Sequence, residues 1–240
     1  MLIKTRGIVL RSIKYSETSL ICDIYTEKLG LRTYIISGVR KTKAKVSAGL
    51  LQIMTLLDVV VYNRKDRELN RIKEIKPTHL YRSIPFDAPK RAVGTFMTEL
   101  FRKTIREAES NSDLFVFLYD NFLYLDESTH SVANIHLHFA IQLSHFLGFM
   151  PGGECCEATP YFDLREGVFT KNKPELLYCM DEECAALLHQ FIQMPVTKVH
   201  ELALPNALRQ TLLDKLILFY RYHIDNMPEL NAHVVLREVL

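Results

Sequence analysis

The run Ser19-Leu20-Ile21-Cys22-Asp23-Ile24-Tyr25-Thr26, then Glu27-Lys28-Leu29-Gly30, then Leu31-Arg32-Thr33-Tyr34-Ile35-Ile36-Ser37-Gly38-Val39 decides the fold class of this chain. β-Branched and aromatic residues fill both arms, and the short link between them ends on glycine, as a hairpin requires. Working outward, Ile3 to Ile13 is another extended run, joined to the first arm by the turn cluster Tyr15-Ser16-Glu17-Thr18. Downstream, Leu50 to Tyr62 and Glu68 to Leu80 supply two more, with Asn63-Arg64-Lys65-Asp66 as their turn. Five strands within the first 80 residues, joined by short turns and one longer polar loop, predict a small closed barrel of the OB type. Strand count alone leaves an SH3-like barrel open.

After Pro77 the hydrophobic period lengthens to three and four residues. Asp87 is placed to cap a helix with Pro89 in its first turn, carrying Val93, Phe96, Met97, Leu100, Phe101 and Ile105. Further helices are expected from Ser112 or Asp113, over Val132 to Leu147, from Asp181 to Ile192 and over Pro205 to Ile224. Residues 151–180 look irregular, with a hairpin suggested around Phe162, Gly167 and Phe169. The expected fold is therefore α+β. A five-stranded OB-type barrel spans residues 1–80, and a mostly helical domain spans 81–240 with an irregular insertion at 151–180. No internal repeat is visible.

Composition narrows the class. With 240 residues, 48% hydrophobic and 24% charged, the chain reads as a folded protein rather than a disordered tail or a disulfide-stapled miniprotein. No apolar run approaches the ~20 residues of a membrane span, and no apolar signal segment follows Met1. Five thinly spread cysteines point to a reducing compartment, so the cytoplasm is the expected location and no membrane partner is expected. The net charge of +2 hides a split, +9 over residues 1–80 against −7 over the rest. All 13 Phe lie after position 85, whereas the first 80 residues use Tyr15, Tyr25, Tyr34 and Tyr62. The sign asymmetry points to a polyanion partner for the first segment.

The strongest local signal is the loop carrying Arg40, Lys41, Lys43 and Lys45, with no acid between Glu27 and Asp58. Long cationic side chains on a loop neutralise phosphates without fixed geometry, and Tyr rings on a barrel face can stack bases. Arg11, Lys14, Arg32 and Arg64 are weaker candidates on or beside strands, where one face is buried. The bland alternative is a solvated, solubilising loop with Tyr used as a strand former.

Enzyme chemistry has little support. No phosphate-cradling glycine loop, dinucleotide fingerprint or Gly-x-Ser-x-Gly elbow occurs. His138 and His145 share a helix face, and Asp163 and Glu166 flank a turn; these define a rival reading as a metal-dependent nucleic-acid hydrolase. Cys155 and Cys156 are adjacent, with Cys179 and Cys184 downstream, whereas zinc knuckles space paired ligands two to four residues apart. No catalytic residue, cofactor or metal is expected. A third reading is an OB-fold interaction adaptor that does not bind DNA.

The N-terminal segment carries a resemblance. Gly7-Ile8-Val9-Leu10-Arg11, Tyr15-Ser16-Glu17-Thr18-Ser19-Leu20, Thr26-Glu27-Lys28-Leu29-Gly30 and Ser37-Gly38-Val39-Arg40-Lys41 resemble, in order and spacing, the bacterial RecO recombination-mediator family. His145-Phe146-Leu147-Gly148-Phe149 looks like the family's helix end before its zinc-binding insertion. The resemblance implies an OB-fold domain and a helical domain in a non-enzymatic DNA-repair protein. Such a protein binds single- and double-stranded DNA, anneals strands, acts with RecR, binds the tail of single-stranded DNA-binding protein and assists RecA loading. Many members have Cys-x-x-Cys pairs; these are missing here, so zinc is not carried over.

Overall fold

The computed structural model describes residues 1–39, 48–62, 69–105 and 109–240. Its first strands are β1 (Leu2–Lys14), β2 (Leu20–Thr26), β3 (Gly30–Ile36), β4 (Leu56–Tyr62) and β5 (Leu69–Pro77). They close into a barrel in the order β1-β2-β3-β5-β4, with β1 pairing back onto β4. Neighbours are antiparallel except β3 and β5, which run parallel where Thr33 and Ile35 meet Leu69 and Arg71. This is the OB-type arrangement, and it excludes the SH3-like alternative.

One strand serves two partners because it bends. The first half of β1 pairs with β4 and the second with β2, and the register shifts between Val9 and Arg11, a bulge that turns the strand. Gly7 sits at the crowded inside of that bend, where a Cβ would lie 2.7 Å from Cγ2 of the core residue Ile24. Gly7→Ala is therefore expected to destabilise the protein by about 1–3 kcal/mol through overpacking. The denaturant midpoint of the full chain checks this.

The expected strand from Leu50 begins only at Leu56. A 3-10 turn occupies Ala48–Leu51, and Met54 adopts a positive φ of 72°. The Met54 amide donates to the Val9 carbonyl at 2.7 Å, which holds this tight entry into β4. Inside the barrel, Val9, Cys22, Ile24, Tyr34, Leu57 and Val59 form the core, matching the alternation of the strand sequences.

Helix α2 (Ser112–Glu127) belongs to the same compact unit as the barrel. That unit comprises Met1–Phe86 and Arg106–Glu127, and the second comprises Asp87–Ile105 and Ser128–Leu240. The sequence reading put all of 81–240 together. The physical reason for the difference lies on the outer barrel face at β1 and β2. There the Tyr25 ring lies 6.2 Å from the Phe115 ring, and the Arg6 guanidinium stands 5.2 Å from Phe115 and 5.0 Å from Tyr119. Arg6 also forks onto Glu27, with its Nε and Nη2 donating at 3.0 and 2.8 Å. Apolar residues on that face would otherwise meet water, and α2 covers them.

The C-terminal end of α2 holds the chain that leaves the barrel. Asp126 is buried, and its carboxylate accepts from the backbone amides of Arg82, Ser83 and Ile84 at 2.9–3.1 Å. His79 Nε2 lies 3.0 Å from the same carboxylate. Tyr81 donates its hydroxyl to the Met54 carbonyl at 2.8 Å, so residues 79–84 are tied at both ends.

In the second unit, α1 (Ala88–Thr104) starts as expected, with Asp87 capping the Lys90 amide and a proline in the first turn. α3 (Ile135–Phe146) ends before Gly148, whose φ of 84° favours glycine. The irregular insertion resolves into β6 (Tyr161–Asp163), β7 (Val168–Thr170) and β8 (Cys179–Met180) in one sheet, with Phe162 and Phe169 packed ring to ring at 5.0 Å. α4 (Glu182–Gln193) is capped by Asp181, and α5 (Asn206–His223) runs as expected. The sequence reading missed α6 (Ala232–Val239), which is only two turns long. Its first amides are held by Glu99 of α1, which accepts from Asn231 and Ala232.

Candidate nucleic-acid interface

Two rows of side chains cross the outer surface of the barrel over β1, β2, β3 and β5. In one, Arg11 stands opposite Asp23, Asp23 opposite Thr33, and Thr33 opposite Leu69. In the next, Ile13, Ile21, Ile35 and Arg71 follow one another across the same four strands. Ile13 is 43% exposed and Leu69 42%, so this is a solvent face rather than a covered one. Arg71 is exposed at the end of the second row; Lys14 and Lys73 are exposed at the end of β1 and within β5, Lys73 lying 3.7 Å from the Glu74 carboxylate. An aliphatic strip flanked by cations can lie along a polyanion, with ammonium and guanidinium groups meeting phosphates.

The sequence candidates fare unequally. Arg40, Lys41, Lys43, Lys45 and Arg64 lie outside the described residues. Lys14 is exposed at the end of β1, opposite Leu20. Arg32 pairs with the core residue Ile24, so its register is that of the barrel interior, and Nη1 donates to its neighbour Leu31 at 3.4 Å. Arg11 is on the outer face but already engaged: Nε donates to Asp23 at 2.6 Å, and Thr33 donates to the same carboxylate at 2.9 Å. Asp23→Asn is therefore expected to strengthen DNA binding about two- to fivefold by releasing Arg11 for a phosphate. Because the Arg11 side chain is solvated and Asn keeps an oxygen acceptor for Thr33, stability should move by less than about 1 kcal/mol. Parallel DNA titration and thermal melting check both.

Two of the four barrel tyrosines cannot stack bases as the sequence reading allowed. Tyr25 lies under Phe115 and Tyr34 inside the barrel, each 1% exposed, and burial pushes both hydroxyls up to about 12. Tyr15 and Tyr62 are exposed. Sequence reasoning passed over Arg71 and Lys73. The available signal was alternation along β5, where Asn70 and Ile72 turn inward and 71 and 73 outward.

The residues behind the hydrolase reading have separate local roles. His138 is buried, with Nε2 on the Met194 carbonyl at 3.1 Å, and burial lowers its pKa. That contact satisfies a carbonyl at the C-terminal end of α4. His145 is exposed. Asp163 accepts from the amides of Arg165 and Glu166 at 2.8 and 3.2 Å, the geometry of a turn. Cys179 and Cys184 are buried, and burial pushes the Cys184 thiol up to about 12. Cys156 is exposed beside the Thr159 hydroxyl at 3.2 Å. Among the described residues no group of three or more His, Cys, Asp or Glu is placed to hold a metal ion, so the cysteines do not fit a zinc site. No described helix is long and apolar enough to cross a membrane.

Comparison with known proteins agrees with this architecture. The family model described as "Recombination protein O N terminal" matches residues 1–81, and "Recombination protein O C terminal" matches residues 85–230. A protein of Bacteroides fragilis named DNA repair protein RecO is 36% identical, the match covering 100% of this chain and 99% of the relative. Relatives of the same name from Christiangramia forsetii and Porphyromonas gingivalis are 34% and 27% identical, again over 98% or more of both chains. With an OB-type barrel, a helical region after it in the chain and matches to both halves, this chain belongs to the recombination protein O family.

Proposed function

We propose that this protein is a DNA repair and recombination mediator that works by binding and bringing strands together, not by catalysis. Membership of the RecO family carries the reading. The charge of +9 over residues 1–80 and the outward cations of the barrel support it. The barrel binds single- and double-stranded DNA through phosphates, with Arg40, Lys41, Lys43 and Lys45 as main contacts and Lys14, Arg11 and Arg64 as lesser ones. A cationic surface screens the repulsion between two strands while base pairing supplies the driving energy for annealing.

In this reading the helical region serves protein partners: RecR, and the tail of single-stranded DNA-binding protein, ahead of RecA loading in the cytoplasm. The family models, which meet between residues 81 and 85, support a functional division close to residue 80. Titration of the full chain against labelled single- and double-stranded DNA, followed by an annealing assay without nucleotide or divalent metal, tests the proposal. Salt-sensitive binding to both forms and accelerated annealing are expected. Absence of binding at low salt would remove it.

A further inference from the structure

We infer that the barrel holds single-stranded DNA by its phosphates and by aliphatic contact with the sugars, without stacking bases on aromatic rings, so that the bases stay free to pair. The inference rests on the DNA-binding reading above and concerns how the strand is held.

The strip Ile13, Ile21, Ile35 and Arg71, exposed at its two ends and half-buried at Ile21 and Ile35, and the adjoining Arg11, Asp23, Thr33 and Leu69, contain no aromatic side chain. The rings carried by β2 and β3 are withdrawn, Tyr25 beneath Phe115 and Tyr34 in the core. By sequence, stretches 40–47 and 63–68 also contain no Phe or Tyr, and the whole chain has no Trp. Tyr62 lies on the seam of β1 and β4, opposite Leu2 and outside the strip. Tyr15, 60% exposed, follows Ile13 and Lys14 in the chain, and Phe86, 85% exposed, lies nine residues beyond the end of β5.

Stacking on protein rings strengthens binding roughly fivefold to a hundredfold per base, and it occupies the base face. A strand held that way must surrender those contacts before it can form a duplex. Isoleucine side chains cover sugars without sequestering a π-face, and Arg71, opposite Ile35 at the β5 end of the strip, is placed to meet a phosphate. Such a surface binds a strand while leaving its pairing face accessible, which suits annealing better than storage.

The test compares an oligo-dT strand with an abasic strand of equal length on the full-length protein, by anisotropy at matched salt. Permanganate reactivity of the bound thymines is read in parallel. Affinities within about threefold of each other are expected, with thymines as reactive as in free DNA and Tyr15→Leu without effect. Arg71→Ala should flatten the slope of log K against log salt by about 0.7 on both strands. Ile35→Asp, shown to be folded by circular dichroism, should weaken both strands alike. More than tenfold weaker binding of the abasic strand, or protection of the thymines, overturns the inference while leaving DNA binding in place. Unchanged affinity and slope in both Arg71→Ala and Ile35→Asp would also overturn it, by giving the strip to a protein partner instead. Failure to bind either strand would overturn the DNA-binding reading itself.

Discussion

Reversing Arg40, Lys41, Lys43 and Lys45 to Glu is expected to weaken single-stranded DNA binding on the order of a hundredfold to a thousandfold near 0.1 M salt. The magnitude follows from counterion release, since each lost phosphate contact removes about 0.7 from the slope of log K against log salt. Phosphate contacts carry no sequence information, so DNA of every sequence should lose affinity equally. Annealing should fall in parallel. Anisotropy titrations at several salt concentrations read both quantities. A folded quadruple variant with unaltered affinity and slope would exclude these four residues, and the cations on the strands would have to hold the DNA.

Asp126→Ala is expected to cost about 3–5 kcal/mol of stability, because three backbone amides, that of Ile84 buried, would lose their shared acceptor. Burial alone would raise the pKa of this carboxyl. The donors from Arg82, His79, Ser83 and Ile84 together outweigh burial and hold it below the usual carboxylate range. A depressed folded value means the contribution is fully present above the unfolded pKa of about 3.9 and is lost as pH falls through the folded value. Asp126→Asn keeps the shape but cannot titrate, so its stability should fall less steeply than wild type on acidification below pH 4. Denaturant midpoints between pH 4 and pH 2.5 check the sign. Parallel curves for the two proteins would mean that Asp126 does not contribute through its charge.

The barrel was legible because its strands are short, β-branched and punctuated by turns that admit few alternatives, such as Thr26 to Gly30. The helix starts at Asp87 and Asp181 were legible for a similar reason, since each carboxylate caps an amide three residues on. What failed to show was long-range. The Phe content after position 85 suggested one helical domain, yet Phe115 serves the barrel, because a hydrophobic period marks a buried face without naming what buries it. Arg11 looked like a free cation until the register set it opposite Asp23, twelve residues away. Tyr25 and Tyr34 read as potential stacking rings because period two says that alternate residues share a face, not which face is inside.

The assignment of α2 to the barrel's unit has a consequence for biosynthesis. A nascent chain that has released residue 86 owns all five strands but not the cover for the face bearing Tyr25. At roughly 5–20 residues per second, the ribosome needs about another 2–8 seconds to deliver the end of α2. For that interval the half-made product exposes an oily flank, and it must be tolerated by chaperones or by its own solubility, aided by the surplus of Lys and Arg in its first 80 residues. A fragment cut after the last strand would remain permanently in that state.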